Sequence, residues 1–189
     1  MSASASRQGA KGGTKMKTRK MMRKAITILL SGLMVIAMSV TAFADAVTAD
    51  GAADIALANA GLSRDAVTML ESEADDGKFE VEFVDNATGN DYSYEIKAAD
   101  GKILEKSVDY VYSRSKSKKK IGAKAARKKA ASLTGVKYKT VKKGSCKYKY
   151  KKKQGKYTVK FKSGGYRYEV EVLAPTGDII ELEMEATKK

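Results

Sequence analysis

Apolar and polar positions alternate strictly in two well-separated parts of the chain. Phe79, Val81 and Phe83 alternate with Glu80 and Glu82, and Tyr92, Tyr94 and Ile96 alternate with Ser93 and Glu95. Downstream, Tyr157, Val159 and Phe161 and then Tyr168, Val170 and Val172 repeat the pattern. A period of two marks strands with one apolar and one charged face. That is the signature of an antiparallel sheet covered on one side only. Asp100-Gly101 and Pro175-Thr176-Gly177 supply tight turns into a last strand, Lys102–Asp109 or Asp178–Met184. A first strand is predicted ahead of each alternating run, over Val67–Glu73 and within Val136–Tyr150.

Helical spacing precedes each set of strands. Ala52 to Ala60 carries Ile55 and Ala58 with Leu62 just beyond, and Gly61 is a natural stop. Ala123, Ala126, Ala130 and Leu133 share one face of a second helix, opposite Lys124, Arg127 and Lys128, and Gly135 ends it. Both helices are too short to persist alone and must pack on the sheets. The two parts also align with each other. Gly77–Phe83 matches Gly155–Phe161 at an offset of 78, and Tyr92–Leu104 matches Tyr168–Ile180 at an offset of 76. The expected fold is α+β: two tandem modules, residues 47–112 and 121–186, each a short helix on one face of a 3–4-stranded antiparallel sheet. The Ser/Lys-rich stretch 113–120 reads as a linker.

The front of the chain reads as an export signal. Basic residues from Lys17 to Lys24 precede an apolar stretch from Ala25 to Val40, and Ala42 and Ala44 provide the small residues of a cleavage site before Asp45. The stretch falls short of the roughly 20 residues that a spanning helix needs. No cysteine follows it, so a lipid anchor is not expected, and the product is expected to be secreted or envelope-associated. Residues 1–15 read as a leader, or as a start placed upstream of Met16.

With these elements in place, the segments Gly77–Phe83, Tyr92–Ile96 and Ala98–Ile103, and again Gly155–Phe161, Tyr168–Val172 and Ala174–Ile179, resemble the PepSY domain family. The second copy departs from the pattern, with lysine-rich strands and Thr176 in place of the acid at Asp100. The resemblance implies a free-standing bacterial relative of the propeptide domains of thermolysin-like secreted metallopeptidases. It implies an extracellular peptidase as partner, bound and restrained rather than served as substrate.

Charge divides the chain. Residues 45–112 hold 5 basic and 16 acidic residues, whereas residues 113–189 hold 24 basic and 6 acidic ones. The tract Lys147, Tyr148, Lys149, Tyr150, Lys151, Lys152 and Lys153 is a candidate docking surface for an anionic partner. Glu80 and Glu82 are candidate contacts on the acidic half. Nucleic acid is not an expected partner, because the export signal directs the chain away from it. Anionic wall polymer or a membrane surface is accessible, through charge alone. The halves could equally dock on each other by charge.

No catalytic residue, metal site or cofactor is expected. The chain has no histidine, which removes the usual general base and the commonest metal ligand. No Gly-rich phosphate loop, HExxH or G-x-S-x-G occurs. The aspartates near Gly77 miss the spacing of a calcium loop. Cys146 has no evident base partner and reads as an unreactive strand residue. The sequence therefore points to a non-enzymatic protein, either a peptidase modulator or an envelope-binding module.

Overall fold

The computed structural model describes residues 46–115, 117, 119–151 and 154–187. The leader, the export signal with Ala42, Ala44 and Asp45, and the lysines Lys152 and Lys153 lie outside the described residues.

Helix α1 (Ala49–Ala60) leads through a short 3-10 turn into β1 (Val67–Asp75), β2 (Lys78–Asp85), β3 (Asp91–Lys97) and β4 (Ile103–Asp109). Helix α2 (Ala123–Thr134) and the one-turn helix α3 (Tyr138–Lys143) then precede β5 (Ser145–Lys151), β6 (Gln154–Ser163), β7 (Tyr166–Leu173) and β8 (Ile179–Ala186). Thr48 starts α1, its Oγ1 accepting a bond from the Gly51 N–H at 3.1 Å. Gly61 and Gly135 close α1 and α2 in the left-handed region.

The expectation of two tandem helix-on-sheet modules is corrected. The strands form one eight-stranded sheet in the order β1-β2-β3-β4-β8-β7-β6-β5, and the fold is mostly β. The last strands of the two parts, β4 and β8, pair antiparallel from Glu105 opposite Glu185 to Asp109 opposite Glu181. Backbone pairing joins what the sequence suggested would be separate sheets. Acids face acids across this seam, so opposite charge is not what pairs β4 with β8. Two hydrogen bonds reinforce the seam, from the Tyr110 N–H to the Ile180 carbonyl at 3.2 Å and from the Tyr166 hydroxyl to the Ile103 carbonyl at 3.3 Å. The strand expected within Val136–Tyr150 begins only at Ser145; Tyr138–Lys143 ahead of it is helical and buries its Val141.

Pairing register runs in parallel through the two halves. A bulge interrupts β3–β4 between Glu95 and Ile96, and another interrupts β7–β8 between Glu171 and Val172, 76 positions on. The seam register places Ser107 opposite Glu183, again 76 positions apart.

The pleat gives the whole sheet one apolar face. Phe83, Tyr92, Val108, Leu182, Val170 and Val159 stand in one cross-strand row spanning β2 to β6. Helix α1 covers one end of this face, burying Ala52, Ala53, Ala56 and Leu57 against Val81, Phe83, Tyr94 and Ile96. Helix α2 covers the other end, burying Ala126 and Ala130 against Val159, Val170, Val172 and Leu182. The opposite face has no helix over it among the described residues.

Candidate functional site

Two features of this sheet are open to solvent among the described residues: its basic edge, β5, and the face that no helix covers. Among the described residues β5 pairs only with β6, and β1 only with β2, so these are the two edges. An edge strand presents outward backbone N–H and C=O groups on which an added strand can pair.

On β5 the pleat separates the predicted residues. Lys147 and Lys149 share the uncovered face with Thr158 and Lys156 of β6, whereas Tyr148 and Tyr150 stand on the helix side. Tyr148 is 37% and Tyr150 62% exposed. Three neighbours hold the Tyr148 ring. Lys120 Nζ lies 3.9 Å from its centre, Tyr157 tilts against it at 5.4 Å, and Gly155 leaves room beneath it. A Cβ at Gly155 would meet the Tyr148 hydroxyl at 2.6 Å. A shallow cleft of about 350 Å³ opens here, lined by Lys119, Lys120, Tyr148, Tyr150, Gly155 and Pro175. Lys120 and Tyr148 are thus brought together across the fold, a pairing that sequence spacing does not reveal. Lys151 is the last residue of β5.

Glu80 and Glu82 lie on the same uncovered face, but on β2, next to the opposite edge. They do not join the lysines in one site. Burial and the neighbouring Asp91, Glu71, Glu80 and Glu73 push the Glu82 carboxyl up. Cys146 sits on β5 with its thiol pushed up by burial, which disfavours the reactive thiolate.

Between the two edges the uncovered face carries a carboxylate-rich centre that the sequence reading did not single out. One cross-strand row reads Glu82, Ser93, Ser107, Glu183, Glu169 and Lys160. A second reads Asp91, Asp109, Glu181, Glu171, Thr158 and Lys147. Ion pairs Lys156–Glu171, Lys160–Glu169 and Arg167–Glu185 neutralise its β6–β7 side. Glu183 is buried, with its Oε1 lacking a hydrogen-bond partner. Burial, then the adjacent Glu169 and Glu181, raises its pKa well above the carboxylate range. Glu181 is raised for the same reasons, burial first and then Glu171 and Asp109. Among the described residues no group of three or more acids or cysteines is arranged to hold a metal ion.

A second buried charge lies on the apolar face. Lys106 is 2% exposed, and its Nζ donates to Asn59 Oδ1 at 2.9 Å, near the rings of Tyr94 and Tyr92. The Tyr94 hydroxyl donates to the same oxygen at 3.2 Å. Burial lowers the Lys106 pKa to about 7. Its parity with Val108 was the available signal, since it puts a lysine among apolar positions.

No protein-family model matches the sequence, and no curated protein matches it. Among solved structures, similarity is found to a candidate lipoprotein of Clostridium difficile 630, 19% identical over 63% of this chain and 82% of that one, with a TM-score of 0.29. The YpeB C-terminal domain of Bacillus megaterium is 16% identical over 73% of this chain and 63% of its own, with a TM-score of 0.40. A BLIP-like protein of Bacteroides fragilis is 9% identical over 73% of this chain and 87% of its own, with a TM-score of 0.26.

Proposed function

We propose that this chain is a secreted, non-enzymatic protein of PepSY type that modulates an extracellular peptidase by presenting strand β5 as a pairing edge. The observation that carries the reading is the edge itself. The outward side of β5 has no strand partner among the described residues, and lysines and tyrosines occupy its two faces. An extended segment of a partner could pair with this backbone, Lys147 and Lys149 meeting acidic side chains and Tyr148 and Tyr150 meeting apolar ones. The peptidase as partner comes from the PepSY resemblance, and secretion from the expected signal at residues 16–44.

The test is to incubate the purified protein with secreted metallopeptidases of its host. Peptide cleavage should fall with dose, and the double variant Lys147→Glu, Lys149→Glu should weaken the effect by at least about tenfold, as loss of close interfacial charge pairs does. Unchanged cleavage together with no complex on gel filtration contradicts the reading.

A second reading is favoured by the basic excess of residues 113–189. The exposed lysines of α2 and β5 would attach the chain to anionic wall polymer or a membrane surface. Cosedimentation with cell walls should then collapse at high salt, because exposed charges are screened. Binding that survives high salt, or no binding at low salt, counts against it.

A further inference from the structure

We propose that the two edges of this sheet pair with each other in neighbouring copies of the chain, β1 of one against β5 of the next, so that copies join head to tail. The partner is a second copy of this chain, which goes beyond the peptidase reading and needs no peptidase.

Three observations point the same way. The first is direction. Every neighbouring pair in the eight-stranded sheet is antiparallel, so the outermost strands β1 and β5 run in opposite directions. A copy set beside another with its helices on the same side therefore offers β1 antiparallel to β5, continuing the ladder.

The second is charge. Glu71, Glu73 and Asp75 of β1 are exposed and lie on the uncovered face, because Glu71 pairs with Glu82 and Glu73 with Glu80. Lys147 and Lys149 of β5 are exposed on that same face. An antiparallel register that sets Glu73 opposite Lys149 sets Asp75 opposite Lys147. Joining β1 to β1 would oppose acid to acid, and joining β5 to β5 would oppose lysine to lysine, both destabilising across a ladder. Only the unlike edges fit.

The third is shape on the other face. The same register puts Ser72 opposite Tyr150 and Ala74 opposite Tyr148. Small residues thus meet the two exposed rings. The regular part of β1 begins at Glu71, after an irregularity that follows Thr68 and gives Met69 a φ of 54°. Pairing is therefore confined to the acidic end of the strand.

Such a contact uses different patches on the two copies and does not close by two-fold symmetry, so it builds a ring or an open row of copies. It also occupies β5, and assembly and partner binding there exclude each other.

Sedimentation velocity of the purified protein at about 0.05 M salt tests this, since exposed charges are little screened there. Species larger than a monomer should grow with concentration and shrink at about 0.5 M salt. The variant Glu71→Lys, Glu73→Lys and the variant Lys147→Glu, Lys149→Glu should each associate at least about tenfold more weakly. Mixed in equal amounts they should associate again, since each then offers the other an opposite edge. Far-UV circular dichroism checks that both variants are folded, and the salt titration of the unaltered protein stands if one is not. A monomer at every concentration overturns the proposal. So does association indifferent to salt, or a mixture of folded variants that stays monomeric.

Discussion

Lys106 and Glu183 are ionisable side chains set where the fold excludes water, and their pKa values move in opposite directions. Burial holds Lys106 at about 7, below its unfolded value near 10.4. Unfolding between these values takes up a proton, so the Lys106 contribution to stability is poorest below pH 7 and improves as pH climbs toward 10. Lys106→Met keeps much of the length and removes the charge. It is expected to flatten the rise in stability between pH 7 and 10 in urea titrations. Glu183 has the reverse sign. Its folded pKa lies above the unfolded value, so unfolding releases a proton and stability falls as pH rises above roughly 4–5. Glu183→Gln preserves shape and should lessen that loss between pH 5 and 8, again read by urea titration. Alternation along β4 and β8 made the facing of both residues legible. Their burial was not legible, because it depends on strands brought alongside from the other half.

At the scale of elements, spacing located most of the strands and both longer helices, though not the single sheet they build. The alternation of Phe79–Phe83 and Tyr157–Phe161 gave β2 and β6, and Gly61 and Gly135 end α1 and α2 where expected. The failure is instructive. A strand was expected within Val136–Tyr150; β5 begins there only at Ser145, and Tyr138–Lys143 ahead of it is helical. Val136 and Tyr138 alternate as a strand does, whereas Tyr138 and Val141, three apart, share a face only in a helix, and two apolar residues over the six positions of Tyr138–Lys143 are too few to decide. The turn from α3 into β5 is set by Gly144. A Cβ there would lie 2.0 Å from the Lys160 carbonyl oxygen and 2.8 Å from Phe161 Cβ. Gly144→Ala must therefore push β5 off β6, and a cost of about 2 kcal/mol or more is expected in chemical denaturation, as for overpacking elsewhere. Glycine is needed here for close approach of backbone, with an ordinary φ of −77°.

At the scale of the molecule, the seam between β4 and β8 was invisible in the sequence. Each strand carries an apolar and a polar face, but nothing in either names its partner, and like charges at Glu105–Glu185 and Asp109–Glu181 argue against the pairing that forms. What offsets them is the buried pair Val108–Leu182, the backbone ladder and the Tyr166–Ile103 bond. Leu182→Ala, at a fully buried seam position, should cost about 2–5 kcal/mol. It should lower one shared transition in calorimetry, since the seam ties both helix-covered cores into one sheet. The same continuity leaves the molecule with two unlike edges, acidic at β1 and basic at β5. The opposite charge of the two halves was legible from composition. Its placement on opposite edges of one sheet required the seam.

The proposed partner binding at β5 is tested most directly by hydrogen exchange on the purified protein, with and without the secreted metallopeptidases of the host. Added backbone pairing predicts that amides of Ser145–Lys151 slow by at least about tenfold on complex formation, with β1 unchanged. Inhibition that leaves β5 exchange untouched, or slowing confined to β1 and β2, would contradict a functional edge at β5.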